Sequence, residues 1–299
     1  MYSAVLEGFS TYCQRYAGAR FKALVGVHHL QVHAKRKEIR FIGTNVEING
    51  PYFSKGESEG GTAIFDTIVL AAGFGWERIN SFNTASYWRN EQLAQPNLTV
   101  DRTRYLVSGS GDGALVDVCR LTIERFRQDT ILYELFGKKL EATEEQLRKD
   151  LASRSAKEGL FDYFASIDDT LFEQPKKSLQ NRLRKDTAVT VHIAGRDADK
   201  PKDLQDIFGP TCSVLNRVLF YLLYRCGAFS ISRQPLEEAI SSAQITQNHV
   251  LCRHGCDTER HLQLIFEDYA QVKSAFAKMK RKQAQRPNRF WTPGYFPTC

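Results

Sequence analysis

Six residues, Gly109-Ser-Gly-Asp-Gly-Ala114, have types and spacing that suit contact with a phosphate. They follow the apolar run Tyr105-Leu-Val-Ser108 and read as G-x-G-x-x-A. In that pattern the glycines permit a tight turn and bring phosphate close to backbone amides at a helix N-terminus. A dinucleotide-binding unit also wants an acid about twenty positions on, at the end of the next strand. Glu134, after Thr130-Ile-Leu-Tyr133, has that spacing. A methyl-donor loop over Ser108 to Ala114, with Glu134 on the ribose hydroxyls, asks for the same pattern, so the glycines alone do not choose between cofactors.

A second glycine turn lies upstream in Ile64-Phe-Asp-Thr-Ile-Val-Leu-Ala-Ala-Gly-Phe-Gly75, where Gly73 and Gly75 close an apolar run. Trp76-Glu-Arg78 and Tyr87-Trp-Arg-Asn-Glu-Gln-Leu93 follow it. Arg78 and Arg89 are candidates to grip a phosphate or carboxylate, with Trp88 as a stacking wall. A loop anchored by aromatic burial, with exposed arginines, accounts for these residues equally well.

Cys252-Arg-His-Gly-Cys-Asp-Thr-Glu-Arg-His261 carries zinc-type ligands, but it lacks a C-x2-C knuckle, and no metal is expected. The preferred reading is a strand-to-helix turn over Val250 to Gly255, with Asp257 or Thr258 capping a helix through Tyr269. Arg253 and His254 then face a ligand cleft or a partner domain as anion clamp and proton donor, or His254 is simply satisfied by a backbone carbonyl. Neither Ser108 nor Ser110 sits in the G-x-S-x-G elbow of a serine hydrolase, and that activity is not expected. No catalytic acid, base or redox disulfide can be assigned.

The elements needed to position these groups are those of an α/β protein. Val-, Ile- and Leu-rich runs at 65–71, 105–108 and 187–194 suit a parallel sheet buried on both faces, with ligands at its carboxyl ends. The segments 21–33 and 38–46 read as an antiparallel pair turning around Lys35-Arg-Lys37, and 49–62 reads as a glycine-rich loop. Residues 2–17, 113–126 and 213–226 read as helices, and a helix begins at a Thr143 cap.

The two glycine segments together resemble the later signatures of the glutathione-reductase-like, two-dinucleotide-binding-domain flavoproteins. Leu70-Ala-Ala-Gly73 is similar to the strand ending in Ala-Thr-Gly, with Ala72 in place of Thr, and Gly111-Asp112 is similar to the strand-end Gly-Asp. The resemblance covers about residues 20 to 126 and implies FAD or NAD(P) as cofactor. Asp112 is implied to bond the ribityl chain, and the amides from Gly113 and Ala114 onward to face the flavin or its phosphates. The family's N-terminal G-x-G-x-x-G is missing, so a truncated or remnant form is expected, with a second chain completing the cofactor site. The family's C-x4-C or C-x2-C redox pair is also missing, which leaves monooxygenase-like or dehydrogenase-like roles.

Composition sets the remaining bounds. The 299 residues are 42% hydrophobic, enough to bury a sizeable core. The run Val214 to Cys226 is interrupted by Asn216 and Arg217 and is too short to span a bilayer. No membrane partner is expected, and the N-terminus lacks a secretion signal's pattern, so the default compartment is the cytoplasm. Seven cysteines, an odd number, do not suggest a disulfide framework. The net charge of +7 is spread among acids, except for Lys278, Lys280, Arg281, Lys282, Arg286 and Arg289. A nucleic-acid partner is therefore not expected, and a small-molecule substrate is.

The expected architecture is a partial Rossmann-like FAD/NAD(P)-binding domain over residues 1–135 with a mainly helical region over 136–299 that adds one or two strands. The expected activity is that of a flavin- or nicotinamide-linked oxidoreductase. The alternatives are a methyltransferase and a non-catalytic nucleotide-fold interaction module.

Overall fold

A computed structural model describes residues 24–49, 52–69, 82, 91–96, 98, 101–153, 159–193 and 212–284. The chain is α/β and forms two compact units: residues 1–75 with 257–283, and residues 76–256 with 284–299. No described helix is long and apolar enough to cross a membrane.

The first unit is a meander of β1 (Leu24–His33), β2 (Glu38–Asn49) and β3 (Tyr52–Ile64), all antiparallel. Lys37 adopts a left-handed φ of 54° in the first turn. Two expectations fail here. The segment 49–62 is mostly strand rather than loop, because strand pairing uses backbone groups, which glycines also possess. Gly60 and Gly61 sit opposite Ile42 and Phe41, and a Cβ on Gly60 would lie 3.3 Å from Ile42 Cγ1, so the bare backbone accommodates a large neighbour. Within the expected strand 65–71, the described residues 65–69 form no strand, and Val69 is 82% exposed. The backbone leaving β3 is tied to the β1–β2 turn instead: Phe65 N donates to Lys37 O at 3.0 Å, and Lys37 Nζ donates to Asp66 O at 2.7 Å.

The second unit holds a parallel four-stranded sheet in the order β6-β5-β4-β7. Its strands are β4 (Thr103–Ser108), β5 (Thr187–His192), β6 (Ser230–Ser232) and β7 (Val250–Cys252). The sheet thus takes strands from both sides of residue 135. Between β4 and β5 run α1 (Asp112–Thr122), α2 (Ile131–Phe136), α3 (Leu140–Ser153), α4 (Leu160–Ser166) and α5 (Glu173–Gln180). The helices α6 (Val214–Arg225) and α7 (Leu236–Ser242) follow β5. Thr143 is not a cap, because α3 already begins at Leu140; its hydroxyl instead donates to Lys139 O at 2.8 Å.

Both sheet faces are covered, as the unbroken apolar strands require. Val107, Val189, Val191 and Leu251 share a core with α1 and α6, and it includes Phe164, Phe172, Phe220 and Tyr221. Leu106, Val250 and Cys252 point the other way, to Ala239 of α7 and Ile245. The strand order carries a functional consequence. From β4 the chain steps to β5 and then β6, and returns to place β7 on the opposite side of β4. The carboxyl ends of β4 and β7 therefore flank a topological switch point, the crevice where open α/β sheets take their ligands.

In the first unit, α8 (Thr258–Ile265) begins as expected at Asp257, whose Oδ1 accepts from Arg260 N at 3.1 Å. It stops short of Tyr269, where α9 (Tyr269–Ala284) starts.

Candidate functional site

The strand register aligns Ser108, His192, Ser232 and Cys252 in one row at the carboxyl ends. Parallel pairing spaces neighbouring strands about 4.8 Å apart and sends paired side chains to the same face. Ser108 and His192 consequently meet, and Ser108 Oγ lies 2.8 Å from His192 Nδ1. It also lies 2.8 Å from His254 Nε2, delivered by the turn after β7.

The protons in this chain can be placed from its far end. His192 Nε2 lies 2.9 Å from Gln234 O, and a carbonyl can only accept, so Nε2 carries a hydrogen. His192 is buried at 4% exposure, and burial holds its pKa below the ordinary imidazole value, opposed by the Gln234 bond and the Glu237 carboxylate. A neutral ring with Nε2–H has a lone pair on Nδ1, which must accept the Ser108 hydroxyl proton. Ser108 Oγ has then spent its one hydrogen and accepts from His254 Nε2–H. The order is His254 to Ser108 to His192 to Gln234 O, leading inward from the exposed His254.

Beyond Ser108 the chain turns at Gly109, whose φ of +144° is strained for any residue with a Cβ. A Cβ there would also lie 2.3 Å from Arg253 O. The approach is close because Arg253 N donates to Ser108 O at 2.7 Å, extending the β4–β7 ladder by one bond. The Arg253 side chain runs under the turn to α1, where Nε donates to Asp117 Oδ2 at 2.7 Å. Asp117 is fully buried and also accepts from Arg120 Nη1 at 3.0 Å. Burial pushes its carboxyl pKa up, and the Arg253 charge opposes that shift.

At the start of α1, Gly111 occupies the N-cap in extended backbone, and no described side chain caps the helix. A Cβ on Gly111 would meet no described atom within 4 Å. The first-turn amides therefore have no side-chain cap among the described residues, and a helix N-terminus carries the sign of charge that attracts anions. The next acid is turned away from that space: Asp112 Oδ1 accepts from Ser213 N at 2.8 Å and from Asn216 Nδ2 at 2.9 Å. It holds the N-terminus of α6 against the turn, helped by the Cys212 thiol donating to Ser110 O at 2.8 Å. The Asp112 oxygen shown in these bonds thus already has two donors.

Of the sequence candidates, Gly109, Gly111, Asp112, Gly113, Ala114, Arg253 and His254 gather at this edge. Gly73, Gly75, Arg78, Trp88 and Arg89 lie outside the described residues. Glu134 is not at a strand end, since 131–136 is helical, and its carboxylate is held by the Thr130 hydroxyl and by Arg182 Nη1 at 2.5 Å. The strand that follows α1 in the sheet is β5, which ends in His192. Among the described residues, no group of three His, Cys, Asp or Glu side chains is placed to hold a metal ion.

Sequence reasoning missed Ser108 with His192, and Asp117 with Arg253. A usable signal existed for the first pair, because both residues end apolar runs read as parallel strands, and such ends converge.

No family model, curated protein or solved structure matches the chain. The functional reading rests on the geometry of this edge and on the motifs quoted above.

Proposed function

We propose that the carboxyl ends of β4 and β7 bind a dinucleotide cofactor, FAD or NAD(P), and that the protein is a flavin- or nicotinamide-linked oxidoreductase with a Rossmann-like sheet. The observation that supports this reading is the coincidence of the glycine turn with the switch point. The strand order would allow a ligand crevice beside β4 whatever followed it, but here β4 runs into G-x-G-x-x-A and an uncapped helix start. Amides from Gly111 to Ala114 would receive the pyrophosphate. Asp112 acts one step back, locking α6 against the turn, and Arg253 fixes the turn from the β7 side. His254 lies where a proton donor or acceptor to a bound substrate belongs. The cofactor would supply hydride or electron transfer, and the protein orientation and exclusion of competing reactions. Glu134, the acid that both this reading and the methyl-donor alternative ask for, is held on α2 by Thr130 and Arg182 rather than at the end of β5, so it does not separate the two.

The test is thermal stabilisation by FAD, NAD(P)H and S-adenosylmethionine in turn, with a visible absorption spectrum of the purified chain. Stabilisation by FAD or NAD(P)H that is lost in Gly111→Val, whose Cβ meets no described atom within 4 Å, is the expected result. Stabilisation by S-adenosylmethionine alone, or a cofactor effect that Gly111→Val leaves intact, would overturn the assignment.

A further inference from the structure

We propose that Ser108 is a nucleophile for acyl transfer from small esters, with His192 as its base. A serine hydroxyl is a weak nucleophile unless a positioned base takes its proton, and that base must itself be oriented by a third group. All three parts are present. Ser108 Oγ is 2.8 Å from His192 Nδ1, and His192 Nε2 is fixed by Gln234 O at 2.9 Å. The orienting group is a backbone carbonyl where serine proteases use a carboxylate, and it selects the same kind of tautomer: a hydrogen on the far nitrogen and a lone pair towards the serine. His254 Nε2–H donates to Oγ from the outer side, which keeps the hydroxyl proton aimed at His192.

The backbone shares the strand-to-helix connection that this chemistry uses. Ser108 is the last residue of a central parallel strand, followed by a glycine in strained backbone and then by a helix. An α/β-hydrolase elbow also joins a parallel strand to a helix, but there the serine itself is strained and exposed, whereas here the strain falls on Gly109 and Ser108 is buried. The sequence test for an elbow fails because it asks for glycine two residues before and two after the serine, where Leu106, packed in the core, and Ser110 stand. The base is also invisible locally, since His192 is 84 positions away. Ser108 is 3% exposed, so the acyl group must be small and must enter beside the exposed His254.

In acylation, Oγ bonds to the ester carbonyl carbon while its proton passes to His192 Nδ1. The bond from that carbon to the alcohol oxygen then breaks, and His192 returns the proton to the departing alcohol. Water repeats the sequence: His192 takes a water proton as the hydroxide oxygen bonds to the acyl carbon, and Ser108 leaves with that proton. The products are an alcohol and a carboxylic acid, and no cofactor takes part.

The probe is p-nitrophenyl acetate added to the full chain, with acid quenching and peptide mapping of acetyl groups. An acetyl ester on Ser108, absent in Ser108→Ala, is the expected result. In His192→Asn, acylation at Ser108 should slow by about 100-fold or more, the usual contribution of a general base. His192 is buried, so this variant is compared only if it melts cooperatively; otherwise the wild-type map decides. Folded wild-type protein that carries acetyl groups only on lysines, on histidines or nowhere would overturn the proposal, as would undiminished acylation in a folded His192→Asn.

Discussion

Arg253→Met tests whether the buried ion pair fixes the turn that builds the site. The Arg253 side chain is 3% exposed, and Asp117, its partner at 2.7 Å, is completely enclosed. Methionine keeps much of the packing volume but leaves the carboxylate short of one charged donor. Removing one member of a buried pair costs about 3–5 kcal/mol. Here Arg120 still holds the other carboxylate oxygen at 3.0 Å from a site 12% exposed, which places the expected loss at the lower end, about 3 kcal/mol. For a unit of this size, about 2–4 °C per kcal/mol applies, giving a fall in Tm of about 6–12 °C. Urea denaturation of the single variants and of Asp117→Leu/Arg253→Met closes a double-mutant cycle. An apolar pair in place of an ionic one is often neutral or better, so the double variant should be more stable than the sum of the single losses by about 1–3 kcal/mol. A loss in Arg253→Met below about 1 kcal/mol, or strictly additive costs, would refute the claim that this pair anchors the turn.

Three further outcomes are expected. Gly109→Ala should destabilise by well over the roughly 1–2 kcal/mol of left-handed backbone strain, because its Cβ meets the Arg253 carbonyl. Gly227→Ala, at φ +64° with no described atom nearby, should cost only that strain, and chemical denaturation compares the two. Asp112→Ala leaves Ser213 N and the Asn216 amide without their shared acceptor and should cost about 1–3 kcal/mol by the same measurement. The depressed pKa of buried His192 makes stability pH-dependent with a definite sign. The unfolded state binds this proton first, so the contribution is fully present above the ordinary value of 6.5 and is lost as pH falls through the lower folded value. Denaturation curves between neutral and mildly acidic pH should show this slope in wild type and less of it in His192→Asn.

The sequence made the parallel sheet legible where strands are buried on both faces, since Tyr105 to Ser108 and Thr187 to His192 carry apolar runs that a half-exposed strand would not. It failed at β3, where Lys55, Gly56, Glu57, Ser58, Glu59, Gly60 and Gly61 have no apolar signature and pairing depends on the backbone alone. It failed again at 65–69, where an apolar run looks like a core strand but follows directly on an edge already tied to Lys37. For the site, the glycine turn was readable because its chemistry is local. The hydrogen-bonded chain through Ser108 was not, because strand register decides which residues 84 and 146 positions away lie beside that hydroxyl. Arg253 was read as an anion clamp, yet its guanidinium is directed to Asp117 on α1, a long-range pairing that no local spacing signals.

The most direct test of a nucleotide at the switch point is amide hydrogen exchange of the full chain with and without FAD or NAD(P)H. The account predicts new protection in the peptides carrying residues 109–116 and 253–255. Cofactor-dependent protection confined to other segments, or none at saturating cofactor, would contradict it.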